Sequence, residues 1–88
     1  MSILNELRAI LVSISPEIAD ITLSEDTRLI DDLGLDKMRL LLFAVSVEDN
    51  FDIRFVGSPE IDTLGDVINY IKDYSKGLVI EHENGTYT

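Results

Sequence analysis

Three carboxylates and an ammonium group crowd one short stretch of the chain. Asp31, Asp32 and Asp36 flank Gly34, and Lys37 follows at once. Oxygen ligands gathered this way can hold a hard divalent cation, but the order of residues does not match a dedicated calcium loop, and solvated charge is the expected state. Lys37 is an amine nucleophile only if a general base or a closed pocket stands beside it, and the sequence suggests neither. The single histidine, His82, lies in the last segment, so neither a histidine dyad nor a typical zinc site can be assembled. No cysteine is present, which removes disulfides, thiolate metal sites and cysteine nucleophiles together. The expectation is a protein that is not an enzyme and holds no metal.

Charge narrows the partners. Seventeen acidic residues against seven basic ones give a net charge of -10 over 88 residues. Such a chain repels nucleic acid and anionic membrane surfaces and favours partners with basic patches. Its 45% hydrophobic content is that of a globular protein, and its length suits one small domain with a modest core. The segment from Met1 to Arg8 lacks a basic region followed by a continuous apolar run, and no later stretch approaches the roughly 20 apolar residues needed to span a bilayer. A soluble, unprocessed, cytoplasmic protein is expected.

The elements that position the Asp36–Lys37 pair follow from periodicity. Ile3, Leu7, Ile10 and Ile14 recur at helical spacing, with Leu4 and Leu11 widening the stripe, and Ser15-Pro16 ends that first helix. A long connection runs to about Gly34. Its apolar residues Ile18, Ile21, Leu23, Leu29 and Ile30 are too many for a free linker, so it is expected to pack over the helices. Asp36 can cap a second helix running to about Asn50, with a short extended piece at 51–55 after it. Ser58-Pro59-Glu60-Ile61-Asp62 predicts a single short helical turn. Thr63 and Asp66 form a capping box for a last helix with Leu64, Val67, Ile68, Ile71 and Tyr74 on its inner side and Gly77 as terminator. Beyond it, Leu78-Val79-Ile80 and the Asn84-Gly85 turn suggest a small hairpin or a frayed tail over 78–88.

Three phrases in this order resemble the acyl carrier proteins: Leu33-Gly34-Leu35-Asp36 ahead of the second helix, Glu48-Asp49-Asn50-Phe51-Asp52-Ile53 at its end, and Thr63 to Ile71 in the last helix. The resemblance covers about residues 3 to 75. It implies an all-α, four-helix bundle over 1–77 with a long first loop and a short third helix. It also implies that Lys37 stands where the family carries 4′-phosphopantetheine on a serine hydroxyl. An ammonium group cannot form that phosphodiester, so Lys37 is expected to be unmodified and no cofactor is expected. Two functions follow. One is a non-catalytic protein-binding or regulatory module; the other is an acyl or aminoacyl carrier of fatty-acid, polyketide or related synthesis whose attachment serine has been replaced.

The second helix carries two apolar stripes. Leu40, Phe43, Ala44, Val47 and Phe51 fall on one side, and Met38, Leu41, Leu42 and Val45 lie almost opposite. One side suits the core. The other is buried by the preceding loop at Leu29 and Ile30, or meets a protein partner or another copy of the chain. In the family this helix docks basic patches through acidic residues, and here Arg39 and Leu42 lie where acids are common. The candidate contact set is Lys37, Met38, Arg39, Leu41, Leu42, Val45, Glu48 and Asp49.

Overall fold

A computed structural model of the chain describes residues 2–57 and 60–77. The fold is all-α. Among the described residues, α1 (Ile3–Ile14), α2 (Lys37–Phe51) and α3 (Leu64–Ser75) are joined by long connections, and a 3-10 helix spans Pro16–Asp20. A core of Leu7, Leu11, Ile18, Leu29, Phe43, Val47, Leu64, Val67 and Ile71 lies where the three α-helices meet.

Local chemistry sets the ends of each element. Ser2 caps α1, its Oγ accepting from the Asn5 amide at 3.1 Å. Ser15 turns extended ahead of Pro16, as the residue before a proline is driven to do. The same proline then occupies the first position of the 3-10 helix, where its missing N–H costs nothing, and Ile18 goes fully into the core. The sequence reading recognised the stop but not the new start. Arg8 of α1 holds this piece down by donating to the carbonyls of Ala19 at 2.7 Å and Ile21 at 3.0 Å.

The connection between the 3-10 helix and α2 packs as expected, but on a backbone scaffold. The amides of Leu64 and Gly65 donate to the carbonyls of Thr27 (2.9 Å) and Glu25 (2.8 Å), and the Leu29 amide donates to Asp62 at 2.9 Å. Thr27, Leu29 and Leu35 of this connection are buried. Thr63 and Asp66 form the expected capping box. Thr63 Oγ1 accepts from the Asp66 amide at 3.1 Å, and Asp66 Oδ2 accepts from the amides of Thr63 (3.0 Å) and Asp62 (2.8 Å).

Two expectations need correction. Phe51 closes α2 instead of opening an extended piece, because Asp52 adopts the left-handed conformation (φ 57°) that ends a helix, and 53–56 pairs with no strand. The short turn expected at 58–62 lies partly outside the described residues, and its described part, 60–62, is irregular. The shorter helical piece seen among the described residues is Pro16–Asp20 instead. The hairpin expected over 78–88 lies outside the described residues.

Candidate functional site

Asp36 and Lys37 meet at the entrance of α2. Asp36 is the N-cap: its backbone is extended and its Oδ1 accepts from the Arg39 amide at 2.8 Å. Lys37 is the first helical residue and is exposed. Gly34 reaches this cap with φ +67°, a left-handed turn that a β-carbon would strain, so the glycine allows the loop to swing into the helix start.

The other carboxylates of the cluster face elsewhere. Arg28 lies 3.3 Å from Asp31 and 3.5 Å from Asp32, and its amide donates to Asp32 Oδ2 at 2.8 Å. That amide and the guanidinium hold the Asp32 carboxyl below its ordinary range. No group of three histidines, cysteines or carboxylates converges among the described residues. The sequence grouped Asp31, Asp32 and Asp36 by proximity along the chain, whereas the fold turns the first two to Arg28 and the third to the helix.

Helix α2 presents two opposite faces. Phe43 and Val47 are buried, with Leu40 and Phe51 packed against the core. On the far side Met38 is 67% exposed, Leu41 61%, Leu42 47% and Val45 53%. The loop leaves this face largely open: Leu29 goes into the core, and Ile30 is itself 56% exposed. Helix α2 holds Lys37 and Arg39 at its start and Glu48 and Asp49 at its end, so two positive and two negative charges cancel within it.

The charged members of the predicted contact set differ in how they are held. Arg39 lies 3.6 Å from Glu17, tying α2 to the 3-10 helix through an exposed pair. Glu48 accepts from the Phe55 amide at 2.8 Å through one oxygen, which pins the segment after α2. Asp49 is exposed. Tyr70 of α3, which the sequence reading passed over, completes that pin: its hydroxyl accepts from the Val56 amide and donates to the Arg54 carbonyl, both at 2.8 Å, and its ring lies 4.9 Å from that of Phe55. A tyrosine at a half-buried position of an otherwise apolar helix stripe was the available signal, since a buried hydroxyl needs a partner.

Beneath this segment an apolar cavity of about 310 Å³ opens between α2 and α3. Leu29, Leu40, Leu41, Phe43, Phe55 and Ile61 are among its walls. It is not legible from residue order, because a void between elements depends on how side chains from four segments fall short of one another.

Three helices, a long docked loop and an aspartate cap at the start of the second helix define a small helical domain of the carrier-protein type. The mitochondrial acyl carrier protein of Saccharomyces cerevisiae is 36% identical over 59 residues, covering 65% of this chain and 47% of that protein. The acyl carrier protein of Clostridium acetobutylicum is 32% identical over 53 residues, covering 58% of this chain and 69% of that protein. That of Streptococcus pneumoniae is 29% identical over 77 residues, covering 86% of this chain and all of that protein. No protein-family model matches. The chain belongs to the acyl carrier protein family; it spans about half the length of the yeast relative and the whole of the pneumococcal one.

The resemblance implies attachment of the family's arm through a hydroxyl at the start of α2. From Gly34 to Val45 there is no serine, threonine or tyrosine, and Ser46 lies more than two turns beyond the cap. No helix among the described residues is long and apolar enough to cross a membrane.

Proposed function

We propose that this chain is an acyl-carrier-family domain that does not bear the 4′-phosphopantetheine arm and acts as a non-catalytic protein-binding or regulatory module through the outer face of α2. The observation that carries the reading is Lys37. It opens α2 directly after the capping aspartate, which is the position that the resemblance assigns to the attachment serine. The apolar surface of Met38, Leu41, Leu42 and Val45 beside it supports a contact role, since contiguous exposed apolar groups mark interaction sites more often than they occur by accident.

A second reading, a working acyl or aminoacyl carrier whose serine has been replaced, is favoured by the apolar cavity between α2 and α3 and by the names of the relatives. Intact mass after incubation with coenzyme A and a broad-specificity phosphopantetheinyl transferase separates the two. The expected result is no change for the chain with Lys37. A gain of about 340 Da, the mass of one arm, would overturn the proposal in favour of the carrier. For Lys37→Ser the same gain is expected if the recognition surface for the transferase survives and only the hydroxyl is missing.

A further inference from the structure

We infer that the occupant of the outer face of α2 is a second copy of this chain, packed α2 against α2 in antiparallel orientation about a two-fold axis near Leu42. This rests on the reading of that face as a protein contact surface.

The distribution of charge along α2 is self-complementary in one orientation. Lys37 and Glu48 are eleven residues apart, which is three turns and about 16.5 Å along the axis, so they lie on the same flank of the helix within about 20°. In an antiparallel pair the same flanks of the two helices meet. Lys37 of each copy then comes beside Glu48 of the other, and two equivalent ion pairs close the ends of the contact. Parallel packing would set the basic ends together and the acidic ends together.

The apolar residues agree on the same axis. Met38, Leu41, Leu42 and Val45 follow the i, i+3, i+4, i+7 spacing of a helix–helix seam and are centred between 41 and 42. The midpoint of Lys37 and Glu48 falls between 42 and 43, about 1.5 Å further along the helix. Apolar contact and charge pairing are therefore satisfied by one two-fold, the arrangement expected of an isologous interface.

The alternatives fit less well. A strongly basic partner would meet a carboxylate on this line only at Asp49, one turn beyond the last apolar residue, and an acidic one would find Arg39 already beside Glu17. A copy of the chain brings -10 of its own, but meets this helix where the charges cancel. The exposed parts of the four side chains make a patch on the order of 400 Å² per copy, smaller than the ~800 Å² per partner of a standard stable interface. The dimer is accordingly weak, with a dissociation constant on the order of 10–300 μM.

The test is sedimentation equilibrium of the full chain from about 5 μM to 1 mM, paired with cysteine cross-linking. The chain has no cysteine, so a single introduced thiol reports alone. Leu42→Cys lies at the two-fold and should form a disulfide dimer under mild oxidation, whereas Lys37→Cys, with copies about 15 Å apart along the axis, should not. Leu41→Glu with Leu42→Glu should weaken association by roughly 30-fold or more, its fold checked by circular dichroism. Lys37→Glu should weaken it about 3- to 10-fold, and adding Glu48→Gln, which keeps an acceptor for the Phe55 amide and removes the new carboxylate–carboxylate repulsion, should recover part of that loss. A chain monomeric at 1 mM would overturn the second copy while leaving the face to a different protein. Equal cross-linking of Lys37→Cys and Leu42→Cys would overturn the antiparallel axis. A dimer indifferent to the double glutamate variant would overturn both the inference and the contact reading of α2 beneath it.

Discussion

Replacing Gly65 with alanine sets two local effects against each other, and the structure predicts which prevails. Gly65 is the second residue of α3, where alanine gains up to about 1 kcal/mol in helix propensity over glycine. A β-carbon added there would stand 2.9 Å from the Glu25 carbonyl oxygen and 3.2 Å from the Glu25 β-carbon. The first of these contacts is with backbone and cannot be relieved by a rotamer change. It is also with the oxygen that accepts from the Gly65 amide at 2.8 Å, so relief by displacement stretches that hydrogen bond. Overpacking of this kind costs about 1–3 kcal/mol, and loss of the hydrogen bond adds about 0.5–1.5 kcal/mol. The net expectation for Gly65→Ala is a destabilisation of about 1–3 kcal/mol, read as a lower urea midpoint at unchanged m-value. Because Glu25 begins the loop that docks on α3, amide exchange should rise first at Leu64, Gly65 and Leu29, whose amides make the three cross-connections. A variant as stable as the parent, or more so, would show that the loop yields and that its docking to α3 is not what holds it.

Two further changes probe the ends of α3 and the segment beneath it. Asp66→Ala removes the acceptor for two amides and should lower stability by about 1 kcal/mol at neutral pH, a fall in Tm of roughly 4–8 °C. Those amides hold the Asp66 carboxyl below its ordinary range, so its contribution is full above about pH 4 and is lost as pH falls through the lowered folded-state value; the gap between parent and variant should narrow in that window. Tyr70→Phe deletes the hydroxyl that bridges Val56 and Arg54 and should cost about 1–2 kcal/mol, with faster exchange at the Val56 amide.

The parts of this molecule that were legible in the sequence are those written in side chains. The bounds of α1, the Asp36 cap, the Thr63–Asp66 box and the two faces of α2 each depend on residue type at fixed spacing, and each is found in place. What escaped was held by backbone. Glu25 and Thr27 dock the long loop through carbonyl oxygens, which every residue has, and Arg8 binds carbonyls eleven and thirteen residues away. Pro16 was read for the helix it ends and not for the one it begins. Ile30 and Leu29 are adjacent and equally apolar, yet one faces solvent and the other the core, a choice made by the turn between Arg28 and Gly34.

Helix α2 is gripped from one side alone. Its cap, its buried residues and its tie to the Phe55 amide account for its place in the fold, and none of them involves Met38, Leu41, Leu42 or Val45. Those four positions can therefore change with little effect on whether the chain folds, since exposed substitutions away from such supports usually shift stability by no more than about 0.5 kcal/mol. Under the contact role proposed for this face, selection on partner choice and selection on foldability would act on separate residues of one helix. On that reading a lineage could exchange one binding preference for another across this surface without passing through an unfolded intermediate.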